Sequence, residues 1–312
     1  MRSRASVSVR EQVLRARVIA RVIAPHGFSQ SDQRSRRHYA PGVPFCLANG
    51  ISLYYELQGE GDRLLFISGT GQDLRRQPRL TDGPLFGGFE LLQFDQRGLG
   101  RSDVPNGPYT MGDYGDDAAA LMDAMGWEDC LVLGVSFGGM VAQELTLRHP
   151  ERVRRLALAC TSSGGSGGAS YPLHELLDVD PEQSFPRRLE IMDTRWDAAW
   201  REANPDTVRM MSEGFQGLSG EGGGSDGPNG LALQLEARRN HDTEGRLDQI
   251  RCPTLVCGGR YDGIAPPANS EFLAQTIPGA RLELFDGGHI FFLQDPAAFP
   301  AMLEFLRSTS EK

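Results

Sequence analysis

Beyond about residue 45 the chain alternates short, nearly unbroken apolar runs with longer stretches whose apolar residues recur at helical spacing. The runs at Ile51 to Leu57, Leu64 to Ser68, Leu91 to Asp95, Leu131 to Val135, Val153 to Cys160, Thr254 to Cys257 and Leu282 to Phe285 predict strands. Most lack polar alternation, as strands buried on both faces do. Between them Tyr114, Ala118, Leu121, Met122 and Met125 share one helical face, and so do Phe299, Met302, Leu303 and Leu306. The second of these helices is expected to be capped by Asp295, with Pro296 in its first turn, where a missing N–H costs nothing. The pattern predicts an α/β fold, a mostly parallel central sheet with helices on both faces.

Residues 45–161 and 246–308 carry this rhythm, and 162–245 interrupt it. The interruption begins with Ser163-Gly164-Gly165-Ser166-Gly167-Gly168 and contains a second Gly/Ser-rich run from Gly214 to Gly230, with a helical pattern over Glu190 to Arg201 between them. Both glycine runs are expected to be mobile. An insertion of this size between two strands reads most simply as a cap over the sheet edge. Met192, Trp196, Trp200 and Phe215 argue against a disordered loop, which is poor in such residues. There is no internal repeat, and 309–312 form a short tail.

Composition narrows the function. The 312 residues are 39% apolar and 23% charged, a globular mixture, and no apolar run approaches the length of a membrane span. A net charge of −9 argues against a nucleic-acid partner held by phosphate neutralisation. The charge is unevenly spread. Residues 1–44 hold nine arginines against Glu11 and Asp32, and this arm reads as a disordered upstream extension, with an organelle transit peptide as the alternative. The five cysteines, at 46, 130, 160, 252 and 257, show no metal-ligand spacing, and reduced thiols in a cytoplasmic protein are expected.

The chemistry centres on Gly134-Val135-Ser136-Phe137-Gly138, lying between a buried strand and a helical run that ends at His149-Pro150. A nucleophile on a sharp strand-to-helix turn needs small neighbours two positions away, which Gly134 and Gly138 supply. The helix that follows aims its N-terminal N–H groups at the charge that develops when a carbonyl is attacked. A serine hydroxyl also needs a base. His26 and His38 lie in the basic arm, His149 ends a helix, and His174 and His241 fall in the insertion. His289 follows Gly287-Gly288 at the carboxyl end of a predicted strand, the edge where Ser136 also sits. For the carboxylate that orients this imidazole, Asp262 lies in a turn after Thr254 to Cys257. Asp286 is the rival, but it would have to fold back from the same strand, and Asp262 is preferred on that ground.

With those residues in view, the chain from about 45 to 308 resembles an α/β-hydrolase of the serine esterase and lactonase type, and is similar to 3-oxoadipate enol-lactonase-like hydrolases. The carriers are Gly134 to Gly138, the acid turn Gly259-Arg260-Tyr261-Asp262, the loop Gly287-Gly288-His289 and the run Phe94-Asp95-Gln96-Arg97-Gly98-Leu99-Gly100-Arg101-Ser102, read as a brace for the loop after a strand. Where many relatives carry His-Gly after the third strand, this chain has Ser68-Gly69-Thr70-Gly71. The resemblance implies that the backbone N–H groups of Thr70 and Phe137 form the oxyanion hole, which needs no histidine side chain. Gly69-x-Gly71 lacks the third glycine and acidic partner of a dinucleotide site.

The implied reaction is cleavage of a small-molecule carboxylic ester or lactone through an acyl-enzyme, with Ser136 as nucleophile, His289 as general base and Asp262 as its orienting acid. It calls for no metal or organic cofactor. The same triad could serve carbon–carbon bond hydrolysis, perhydrolysis or acyl transfer. A slow-turnover ligand receptor on this fold is the reading from another class.

Overall fold

The computed structural model describes residues 44–75, 79–219 and 230–308. The basic arm, the tail and most of the second glycine run therefore lie outside the described residues. An eight-stranded sheet runs in the order β1-β2-β4-β3-β5-β6-β7-β8. Its strands are β1 (Phe45–Ala48), β2 (Ile51–Gln58), β3 (Asp62–Ile67), β4 (Phe89–Phe94), β5 (Cys130–Val135), β6 (Val153–Ala159), β7 (Thr254–Gly259) and β8 (Arg281–Phe285). β2 is antiparallel to both of its neighbours, and every other pairing is parallel. All seven predicted strands are present. β1 was not predicted: it is a four-residue edge strand with one buried side chain, too short to show a pattern.

Alternation within each strand divides the core. Leu65 and Ile67 face one layer, where α1 (Met111–Ala124), α2 (Phe137–Arg148) and α7 (Pro267–Thr276) pack. Leu64 and Phe66 face the other, against α9 (Ala298–Arg307) and the short α8 (Phe291–Gln294). Helices on both faces cover a sheet whose inner strands are apolar on each side, as the unbroken runs required. Thr110 starts α1 with a capping box, its hydroxyl accepting from Asp113 N at 3.1 Å while the Asp113 carboxylate accepts from Thr110 N at 2.8 Å.

The start of α9 differs from expectation. Ala297 is the cap residue and makes no side-chain bond, while Asp295 lies upstream and accepts from Ala297 N at 3.0 Å and Asp286 N at 3.1 Å. Asp295 ties the approach to α9 back to the exit of β8 instead of capping the helix.

Between β6 and β7 the chain leaves the sheet and forms α3 (Pro181–Met192), α4 (Ala198–Ala203), α5 (Pro205–Ser219) and α6 (Gly230–Arg239). The helix expected over Glu190 to Arg201 is broken at Asp193 to Asp197, because Asp193 takes an extended conformation and Asp197 caps a new helix. Leu189, Trp196, Trp200 and Met211 form a separate apolar cluster here, with Met192 against it.

The first glycine run is pinned rather than loose. Thr243 N donates to Ser163 O at 2.8 Å, and the Glu244 carboxylate accepts from Ser166 N and Gly167 N at 2.6 and 3.0 Å. Gly164, at φ +69°, lets the two crossing segments touch: a Cβ there would fall 1.8 Å from His241 O. These glycines provide close approach, which composition alone does not distinguish from flexibility.

Candidate active site

β5 ends at Val135 and α2 begins at Phe137, leaving Ser136 alone on the bend at φ 55° and ψ −117°. A left-handed φ at a non-glycine residue is costly and persists where the surroundings enforce it. Here Ser136 N donates to Ala159 O at 2.8 Å, and α2 is pressed onto the end of β3. A Cβ on Gly138 would lie 2.0 Å from Ile67 O, and one on Gly134 would lie 2.4 Å from Gly138 O. Only glycine at both positions permits the turn.

The site occupies the crevice beyond the carboxyl ends of β3 and β5. The chain runs from β3 to β4 on one side and enters β5 on the other, so the strand order reverses there, and ligands of open α/β sheets bind at such points.

Asp262 lies three residues beyond β7 and is buried. One carboxylate oxygen, Oδ1, accepts from Ile264 N at 2.7 Å and Ala265 N at 2.8 Å, which aims the other at His289. Asp262 Oδ2 is 2.8 Å from His289 Nδ1, and His289 Nε2 is 3.0 Å from Ser136 Oγ. This network assigns the proton of the ring to Nδ1, so that Nε2 accepts from the serine hydroxyl. The three candidates, separated by up to 153 positions in the chain, form one continuous run of hydrogen bonds.

Asp286 is not part of it; its carboxylate accepts from Arg195 Nη1 at 3.2 Å. The candidate oxyanion donors lie on the Ser136 side. Gly69 abuts the nucleophile, since a Cβ there would sit 3.5 Å from Ser136 Cβ, and Thr70 follows it. Among the described residues neither Thr70 N nor Phe137 N donates to a protein acceptor.

Several residues around the site carry no local sequence signal. His289 N donates to Met192 O at 2.7 Å and Gly288 N to Gln294 Oε1 at 2.5 Å; Gln294 Nε2 in turn donates to Asp193 Oδ2 at 2.8 Å. Gly263 N donates to Ile191 O at 3.0 Å and Thr194 N to Tyr261 O at 2.9 Å. The segment 191–194 is thus stitched both to the acid turn and to the histidine loop. On the opposite side Gly71 N donates to Gln234 Oε1 of α6 at 2.8 Å.

The run 94–102 holds the loop after β3. Gln96 Nε2 donates to Ser68 O at 2.9 Å, and Asp95 accepts from Leu74 N at 2.6 Å and Arg101 N at 2.9 Å. Burial raises the Asp95 carboxyl to about 6 against those two amides. Arg97 closes the brace as a bidentate partner of Asp117 at 2.6 and 2.7 Å.

Residues 62–296 match the family model described as the alpha/beta hydrolase fold. The chain belongs to the α/β-hydrolase family. It is 28% identical over 263 residues to 3-oxoadipate enol-lactonase 2 of Acinetobacter baylyi, covering 82% of this chain and 93% of that one. It is 30% identical over 284 residues to the 2-hydroxymuconate semialdehyde hydrolase of Pseudomonas putida, covering 83% and 91%. The crystal structure of the enol-lactonase from Burkholderia xenovorans LB400 superposes with a TM-score of 0.68 at 28% identity, covering 85% of this α/β-hydrolase and all of that chain. The protein is a hydrolase of this fold, and among its described residues no helix is long and apolar enough to cross a membrane.

Proposed function

We propose that this α/β-hydrolase cleaves a carboxylic ester or lactone of a small molecule through an acyl-enzyme on Ser136. The observation that carries the reading is the run Ser136 Oγ to His289 Nε2 at 3.0 Å and His289 Nδ1 to Asp262 Oδ2 at 2.8 Å. Ser136 Oγ attacks the carbonyl carbon as His289 takes the hydroxyl proton, and Asp262 balances the imidazolium. The Thr70 and Phe137 amides receive the oxyanion, and His289 returns the proton to the departing alcohol oxygen. A water molecule, deprotonated by the same imidazole, then attacks the acyl carbonyl; the acyl–Oγ bond breaks, the acid leaves, and His289 returns the proton to Ser136 Oγ. Residues 162–245 act as a cap whose helices wall the pocket; the bond from Gly71 N to Gln234 Oε1 across that boundary supports this role.

Likeness to a lactonase favours the ester or lactone reading, and likeness to 2-hydroxymuconate semialdehyde hydrolase keeps carbon–carbon bond hydrolysis as the second. The test is a panel of nitrophenyl esters of increasing acyl length beside a set of lactones and a vinylogous diketone. Ester or lactone turnover that disappears in Ser136→Ala is the expected result. Turnover confined to the diketone would transfer the site to carbon–carbon cleavage.

A further inference from the structure

α6 carries Gln234 and Arg238 one turn apart, both buried. Gln234 Oε1 is used by Gly71 N, beside the candidate oxyanion donor Thr70, but its Nε2 is enclosed without an acceptor. Arg238 Nη1 donates to Tyr171 O at 2.8 Å and Nη2 to Ser170 Oγ at 2.7 Å, while its Nε is enclosed without an acceptor. Tyr171 N is bonded to Ile264 O at 2.7 Å, and Ile264 N to Asp262 Oδ1. The Gln234–Arg238 face therefore reaches from the loop after β3 to the acid turn, with the nucleophile between these two loops.

Arg238 differs from Arg97, the other buried guanidinium among the described residues. Arg97 is paired with Asp117, whereas among the described residues no carboxylate pairs with Arg238. Burial lowers Arg238 to about 10, with Asp262 opposing the shift, so it stays charged at neutral pH. A cation enclosed with neutral acceptors alone is costly unless an anion joins it.

We propose that Arg238, assisted by the Gln234 amide, anchors a carboxylate carried by the substrate, which makes the cleaved compound an acidic ester or lactone, such as a half-ester of a dicarboxylic acid. The inference rests on the serine-hydrolase reading above. The unused donors are Arg238 Nε–H and the Gln234 amide N–H groups, a set that matches the two oxygens of a monoanionic carboxylate. A phosphate dianion, with three oxygens and more charge, would be left short of donors.

The experiment pairs each of the 4-nitrophenyl half-esters of adipate, pimelate and suberate with its methyl-capped diester, using the full chain. The wild type is expected to prefer the free carboxylate in at least one pair by about tenfold or more in kcat/KM, expressed in KM. Arg238→Gln is expected to collapse that ratio, and Arg238→Lys to restore part of it. Equal treatment of all pairs by the wild type would overturn the anchor. So would an Arg238→Gln variant slowed by the same factor on both members, which would mark Arg238 as a structural clamp on Ser170 and Tyr171. A readout without turnover separates the two proposals: monomethyl pimelate is expected to raise the melting temperature of Ser136→Ala more than dimethyl pimelate does, and to lose that advantage in Ser136→Ala/Arg238→Gln. If no ester is cleaved while this difference persists, the hydrolase reading fails and the anchor stands; if esters are cleaved and the difference is absent, the anchor fails alone.

Discussion

His289 Nδ1 lies 2.8 Å from Asp262 Oδ2, although Asp286 is only three residues away in sequence and Asp262 is 27. Arg195, reaching out from the segment after α3, occupies the Asp286 carboxylate at 3.2 Å. The nearer acid thus belongs to a part-buried ion pair with Arg195 and the more distant one to the imidazole.

Asp262→Asn is therefore expected to lower kcat for ester hydrolysis by about 10⁴-fold, since an amide neither fixes the required tautomer nor balances the imidazolium. Asp286→Asn is expected to cost less than about tenfold, because Asp262, not Asp286, is the carboxylate on His289 Nδ1. Steady-state rates of both variants on one nitrophenyl ester check the pair. A larger loss at 286 than at 262 would reverse the assignment.

Gln294 accepts from Gly288 N and donates to Asp193, joining the histidine loop to the segment after α3. Gln294→Leu strips a buried amide and a buried carboxylate of a partner each, and is expected to destabilise the fold by about 1–3 kcal/mol. Urea unfolding measures this, and an unchanged midpoint would contradict the role.

His241 is buried with Nε2 on Ser162 O at 3.1 Å, and burial lowers its pKa to about 4 from an ordinary 6.5. The unfolded chain then binds a proton here between pH 6.5 and 4 that the folded chain does not, so stability is full above 6.5 and falls as the pH drops. The loss amounts to about 3 kcal/mol by pH 4, at 1.36 kcal/mol per unit. His241→Gln keeps an N–H for Ser162 O and is expected to flatten that part of the stability profile. A variant with the wild-type acid slope would place the titration elsewhere.

Much of the fold was legible because the buried strands are continuous apolar runs, and because Gly134 and Gly138 leave a turn that few residue pairs allow. The order Ser136, Asp262, His289 at the ends of three strands was also legible, since the sheet brings those ends to one edge. What stayed hidden depends on contacts between distant segments. Nothing in the spacing around Met192, Asp193 or Gln294 announces that they hold Gly288 and His289, and Gln234 and Arg238 look like two ordinary polar positions of a helix. The first glycine run misled in the opposite direction: its composition matches a flexible linker, but its glycines serve a crossing with residues 241–244.

Ser136 is expected to carry the acyl group. Treatment with a fluorophosphonate, followed by peptide mass analysis and ester assays on the same sample, tests it directly. One adduct is expected, on the peptide containing Ser136, with ester hydrolysis lost in step with labelling and no adduct in Ser136→Ala. Undiminished labelling of Ser136→Ala, or full hydrolysis by a protein labelled completely at Ser136, would contradict it.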